Sequence, residues 1–284
     1  MQESSTLGLC FSSKQLYYCI KNSKTPNRVD HIGCFDFSFN IGKSIRTQDP
    51  ETFPSVYGLL GRLKKEYGVK KIRVATVPDH ECWTSLPKLV FDTPDEREAH
   101  LSIIMKGIPR SEQSISWIDL SNREYKFACI RKRGIVRSYE RLSEHVHEAE
   151  YISSFELGEL WLHHHNDKGS FMMIHSIPGL ISISAYLLGK LRGATNIAYD
   201  DAEDLPYLWL YYANNLKWLN GMYENVYMFG ANVENLIQII RSNLDQSAHI
   251  HRFETLTDIG VTADEQTYGF NLEAAFPAIL LSLL

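Results

Sequence analysis

LGLCFSSKQLYYCI, residues Leu7–Ile20, is the stretch that decides the fold. Two apolar runs, Leu7–Phe11 and Gln15–Ile20, flank the short polar turn Ser12-Ser13-Lys14. Strand-forming runs on both sides of such a turn predict a β-hairpin. Outward from it, Ile32–Phe39 alternates Phe35, Phe37 and Phe39 with Asp36, Ser38 and Asn40, which puts one face in a core and the other towards water. Three strands in succession open an antiparallel sheet. Val56, Leu59, Leu60, Leu63 and Tyr67 then recur at helical offsets, with Gly68 placed to end the helix. Lys71–Val77 follows as a buried strand stopped by Pro78, and a strand–helix–strand crossover makes the sheet mixed.

Pro78 to Arg131 differs in texture: four prolines surround one expected helix, Asp95–Lys106, and two strands near Ser114–Leu120 and Glu124–Ile130. This reads as a small α+β insertion. Helices are expected at Ile135–Glu150 and Phe155–His163, and the polar turn Asn166-Asp167-Lys168-Gly169 is the boundary between halves. The second half repeats the order of the first. Ser170–His175 and Leu180–Tyr186 are strands around Ser176-Ile177-Pro178-Gly179. A long helix, Leu205–Leu219, has Asp204 as N-cap and Pro206 in its first turn. Strand Asn225–Phe229, helix Val233–Leu244, strand His249–Phe253 and a closing apolar helix Ala274–Leu284 complete it. The expected organisation is 1–166 with an insertion at about 78–131, then 167–284.

Of 284 residues, 44% are apolar and 22% charged, ordinary globular usage that excludes disordered and collagen-like chains. At about 150 residues per domain, the length holds one large or two modest domains. The net charge of −5 argues against nucleic acid or an anionic membrane as main partner, since both reward a basic patch. Five scattered cysteines without a CxxC pair suit a reducing compartment and give neither a disulfide framework nor a structural zinc site. No run approaches the roughly 18 apolar residues of a membrane span. MQESSTLGLC lacks the regions of a signal peptide, so a cytoplasmic protein is expected.

Four segments carry a family resemblance: the hairpin Leu7–Ile20; VATVPDHECWTSLP (Val74–Pro87), a strand ending in proline; DTPDEREAHLSIIMKGIP (Asp92–Pro109), a helix ending in Ile-Pro; and VYMFGANVENLIQII (Val226–Ile240). Together they resemble the PilM-like pilus-assembly proteins and the cytoplasmic domains of type II secretion platform proteins, within the actin-like ATPase (RNase H-like) superfamily. The resemblance implies a duplicated α/β fold with mixed five-stranded sheets, flanking helices and a small α+β insertion. It also implies an ATP and Mg²⁺ cleft between the halves. Beside the insertion it implies a groove that receives an extended N-terminal segment of a membrane-assembly partner.

The departures bear on activity. Where the resemblance leads one to expect Asp and Gly in the first hairpin, this chain has Cys10 and Phe11. Ser12, Ser13 and Lys14 remain as phosphate contacts, with no carboxylate beside them for Mg²⁺. The second phosphate turn should read Asp-Gly, and here it is His175-Ser176-Ile177-Pro178-Gly179. A β-branched residue and a proline impair a turn that must offer N–H groups to an anion. At the third segment Gly230, Ala231 and Asn232 stay small enough for a base and ribose, although the second glycine has become Ala231. Phosphoryl transfer relies on positioning and metal electrostatics, so these changes point to a non-catalytic scaffold without a resident cofactor. The alternative is an ATP-binding ATPase or small-molecule kinase with rearranged acidic ligands such as Asp200 or Glu203.

Other candidates have plainer readings beside them. His163-His164-His165 is read as a solvated histidine run at a helix C-terminus, favoured by the dipole. In Asp79-His80-Glu81-Cys82 an acid, imidazole and thiol adjoin, but neighbours in an extended segment diverge. Asp200, Asp201, Glu203 and Asp204 precede the helix that Asp204 caps. His249 and His251 share a strand face without a third ligand. Arg131-Lys132-Arg133 with Arg137 and Arg141 is read as a solvated basic turn. Tyr207, Tyr211 and Trp218 occupy the face of the Leu205–Leu219 helix away from its apolar stripe, and are the candidate protein-binding surface. The expected partner is a protein, an inner-membrane assembly component by resemblance, with oligomerisation left open.

Overall fold

A computed structural model describes residues 5–22, 25–77, 80–120, 124–142, 144, 148–165, 169–263 and 269–284. The opening hairpin is β1 (Ser5–Phe11) and β2 (Gln15–Lys21), antiparallel with Cys10 opposite Tyr17. After the short β3 (Arg28–Val29), β4 (His31–Asp36) pairs with the far side of β2. Helices α1 (Ile41–Thr47) and α2 (Phe53–Tyr67) lead to β5 (Val69–Thr76), which lies parallel to β1. Helix α2 buries Phe53, Val56, Leu59, Leu60 and Leu63 and ends at Gly68, whose φ of 64° suits glycine as a C-cap.

The insertion is a three-stranded antiparallel sheet of β6 (Glu81–Pro87), β7 (Gln113–Ile118) and β8 (Tyr125–Lys132), with β8 central. Instead of the single helix expected over Asp95–Lys106, two are present, α3 (Lys88–Asp92) and α4 (Pro94–Ile104). Pro94 forces the preceding Thr93 into an extended conformation, which breaks the helix there. The turn residues Pro78 and Asp79 lie outside the described residues, as do Asn166, Asp167 and Lys168 of the proposed boundary.

The helix expected over Ile135–Glu150 is shorter. Helix α5 (Arg133–Leu142) ends where the apolar repeat ends, and Glu148–Ser153 is instead strand β9, parallel to β5 at the sheet edge. Cross-strand charge fixes that pairing. Lys71 Nζ lies 2.8 Å from Glu148 and 2.7 Å from Glu150, and Arg73 Nε lies 2.6 Å from Glu150.

Helix α6 (Leu157–His165) leads into the second sheet of β10 (Phe171–Ile177), β11 (Leu180–Leu187) and β12 (Lys190–Ala198). Helix α7 (Leu205–Asn215), β13 (Asn225–Gly230), α8 (Val233–Ile240) and β14 (His249–Arg252) follow. Then come α9 (Leu256–Ile259), β15 (Thr262–Ala263), which pairs with β3, and α10 (Leu272–Leu283). Strand β12 was not expected; its polar, glycine-broken run hides the pairing with β11. Nor is there one helix to Leu219. Leu216 leaves helical geometry and a separate 3-10 turn covers Lys217–Asn220.

The sheets run β4-β2-β1-β5-β9 and β12-β11-β10-β13-β14. Ranked by order of appearance, both read third, second, first, fourth, fifth, so the duplication expected from the sequence is a duplication of topology. Each sheet packs its outer face on its own helices: α2 and α5 cover the first, α7 and α8 the second. Between the inner faces lies α10, buried on every side from Glu273 to Ser282, as a helix that is apolar all round must be. It packs on β1, β2 and β5 and also on β13 and α6. Gly8 makes this approach feasible, because a Cβ there would sit 2.0 Å from the Ala278 carbonyl oxygen. No helix among the described residues is long and apolar enough to cross a membrane.

Candidate functional site

The first hairpin turn is occupied by its own backbone bonds. Ser12 N–H donates to the Gln15 carbonyl at 2.8 Å, while the carbonyls of Ser13 and Lys14 accept from Ile41 and Phe37 at 2.9 and 2.8 Å. Ser13 and Lys14 are exposed. Cys10, at the position where the resemblance calls for the metal-organising acid, is buried under α10 and its thiol donates to the Ala274 carbonyl at 3.2 Å. Burial pushes this thiol up to about 12, so it is neutral and neither a ligand nor a nucleophile.

The second hairpin is tighter than expected: strand β10 runs through Ile177, and Pro178-Gly179 alone makes the turn. His175 and Ser176 therefore sit inside the sheet. The His175 ring stacks on Phe229 at 4.7 Å, and its Nδ1 lies 2.9 Å from Ser154 Oγ. Ser154 in turn donates to the Thr76 carbonyl at 3.2 Å, which places the histidine proton on Nδ1. Desolvation holds His175 neutral, with its pKa pushed down to about 3. Through Ser154 it ties β10 to the end of β5.

Gly230, Ala231 and Asn232 stand at the end of β13. Gly230 has φ 109°, and a Cβ on it would lie 2.1 Å from the Ser176 carbonyl oxygen. Ala231 N–H donates to that same oxygen at 2.9 Å. The close approach that glycine permits is thus used by a neighbouring strand. Ala231 and Asn232 do reach the inter-sheet cleft, a cavity of about 380 Å³ whose other walls include Gln15, Tyr17, Asp36 and Asn271. Of the eight nucleotide candidates these two line it. The sequence reading missed Asp36, the acid of this cleft, which accepts from Gln15 Nε2 at 2.9 Å; its place in the aromatic alternation of β4 marked it as solvent-facing. One carboxylate engaged by a glutamine, a capped thiol and a closed glycine do not fit Mg²⁺-ATP, and no catalytic step is derived through it.

A larger concavity lies elsewhere, between the inserted sheet and α5. It measures about 930 Å³ and includes Arg46, His80, Gln113, Lys132, Ile135 and Arg137 in its walls. A smaller, more enclosed cavity of about 160 Å³ adjoins it and is lined by Thr76, Ser114, Ser116, Arg131, Val136 and Tyr151 among others. The wall of the smaller cavity holds a buried ion pair that corrects the reading of Arg131 as part of a solvated turn, while Lys132 and Arg133 are exposed as expected. Arg131 Nε lies 2.8 Å from Glu81 Oε1, with both side chains out of solvent. Glu81 also accepts from Thr76 Oγ1 at 2.8 Å and Trp83 Nε1 at 2.9 Å. The signal was in the register: Glu81 and Arg131 face each other across β6 and β8, and opposite charges directly across a ladder are a stabilising pair.

The remaining candidates fall apart or take structural roles. Trp218 lies on the 3-10 turn with its ring 2.4 Å from where a Gly193 Cβ would be, so it does not share a face with Tyr207 and Tyr211, which stay exposed on α7 beside Leu210. His163 is exposed and 3.3 Å from Glu159, but His164 and His165 both point Nε2 at the Ile259 carbonyl, at 3.2 and 3.1 Å. They are packed on Trp161 rather than freely solvated. Asp204 makes no capping bond; Asp201 accepts from Glu203 N–H at 3.0 Å instead. His251 is held by Asn225 at 2.8 Å and stacks on Tyr227. Cys82 is exposed while Glu81 is buried. Among the described residues no group of three or more His, Cys, Asp or Glu side chains is placed to hold a metal.

No protein-family model matches the sequence, and no curated protein matches it. Solved structures do match. The PilM–PilN type IV pilus biogenesis complex aligns over 99% of this chain and 97% of that one, with a TM-score of 0.70 at 11% identity. A Bacteroides thetaiotaomicron protein with an actin-like ATPase fold aligns over 88% and 91%, with a TM-score of 0.55 at 17% identity. The cytoplasmic domain of EpsL, an inner-membrane component of the type II secretion system of Vibrio cholerae, aligns over 90% and 92%, with a TM-score of 0.54 at 9% identity. At these identities the likeness is one of fold. The chain has the actin-like ATPase fold, and its resemblance to PilM-like structures spans the whole chain.

Proposed function

We propose that this chain is a non-catalytic actin-like scaffold that docks an extended segment or cytoplasmic domain of a membrane-assembly partner, of pilus or secretion type. The observation that carries it is Cys10: where an actin-like ATPase needs a free carboxylate, a buried thiol is bonded to the helix that fills the space between the sheets. The open groove beside the insertion supplies the docking surface. Structural neighbours from a pilus complex and a secretion system support the partner class. The protein then works in the cytoplasm, held at the inner membrane through its partner. Tyr207 and Tyr211 offer a second, smaller protein contact.

Co-expression with inner-membrane assembly proteins encoded beside its gene, followed by size-exclusion chromatography, tests this. A complex is expected that is lost when Ser116, exposed on β7 at the wall of the smaller cavity that adjoins the groove, is replaced by Trp. Mg²⁺-dependent ATP turnover by the purified chain would establish the enzyme reading in its place.

A further inference from the structure

We propose that the segment docked in this groove carries an acidic side chain, Asp or Glu, that enters the smaller cavity and pairs with Arg131. The inference rests on the docking reading above and names the chemistry of its occupant. Arg131 is 9% exposed, yet its Nη2 is buried with no hydrogen-bond partner. A buried guanidinium N–H left unmatched is costly, and Arg131 itself lines a cavity large enough for a carboxylate-bearing side chain. Glu81 does not satisfy it: the acid binds Nε, and its other contacts go to Thr76 and Trp83.

The field of the groove points the same way. Arg46, Lys132, Arg133 and Arg137 line it, against Glu112 and the Glu81 already engaged by Arg131, in a chain whose net charge is −5. A local cationic surface on an acidic protein selects an acidic ligand and steers its approach. Ile135, Val136, Tyr139 and Tyr151 in the cavity wall give the methylenes of the side chain and its neighbours an apolar seat. A guanidinium beside a carboxylate adds geometry as well as charge. A peptide meets both demands, since it fills the long groove and sends one side chain into the enclosed part.

The test is a phage library of random nonapeptides panned on the full chain, with selected peptides resynthesised and titrated by fluorescence anisotropy. Selected peptides are expected to share an Asp or Glu. Changing it to the amide should weaken binding to the wild-type chain at least tenfold, and this swap needs no variant protein. On Arg131→Lys the acid-to-amide change should cost less than threefold; should Arg131→Lys not fold, Glu81→Gln/Arg131→Gln replaces it. Ser116→Trp should abolish binding of every selected peptide. Peptides blocked by Ser116→Trp but indifferent to the amide swap would overturn the acidic pairing while leaving the groove as a docking site. Peptides unaffected by Ser116→Trp would overturn entry into the smaller cavity and with it the acidic pairing, and a library that yields none would overturn both readings.

Discussion

Two half-buried titratable side chains, His175 and Glu156, give the molecule a pH signature. Burial lowers His175 from 6.5 to about 3, so between those values the unfolded chain holds the extra proton and the fold loses stability as pH falls. Burial raises Glu156 from 4.5 to about 7, so there the folded chain holds the extra proton and gains stability as pH falls. The two offset between about 4.5 and 6.5, and the histidine acts alone below. Glu156→Gln keeps the acceptor for Ser153 N–H but removes the titration. Urea midpoints against pH should then show acid destabilisation beginning near 6.5 instead of 4.5, at up to about 1.4 kcal/mol per pH unit. An unchanged onset would contradict the two assignments. At the same scale, Gly8→Ala drives a methyl into the Ala278 carbonyl and should cost about 1–3 kcal/mol or more in chemical denaturation.

Among the elements, α10 carries the largest share of the interior. Phe276 is fully buried in it, stacked on Phe253 at 3.9 Å and packed on Phe229 at 4.7 Å. Phe276→Ala should lose about 3–5 kcal/mol; a loss under about 1 kcal/mol would mean the helix does not occupy the inter-sheet layer. Helix α7 gives the contrast. Tyr207→Ser with Tyr211→Ser, both exposed, should change stability by no more than about 0.5 kcal/mol, leaving any loss of partner binding attributable to the surface. Elements with strong periodicity were legible in the sequence: the hairpin, α2 with its Gly68 stop, and β13 into α8. Those missed were set by distant partners. Strand β9 is fixed by Lys71 and Arg73 on another strand, β12 by β11, and the end of α7 by packing around Trp218. No local pattern announces such constraints.

For the molecule as a whole, the repeated strand order places two hairpins and one strand–helix junction around a central helix; the repeated order was legible in the sequence, the place of α10 between the sheets was not. The candidate cleft was half legible. Cys10 and Pro178 were visible as departures, but not that α10 caps the thiol or that Ser176 closes the glycine at 230, because both depend on three-dimensional approach. The groove beside the insertion was expected only from resemblance, and its buried Arg131 was read as solvent-facing. The central claim is that an actin-like frame persists here without its nucleotide chemistry. Isothermal titration of the full chain with ATP in the presence of Mg²⁺, with released phosphate assayed on the same samples, tests it most directly. No binding heat and no turnover are expected. Metal-dependent binding accompanied by phosphate release would contradict it.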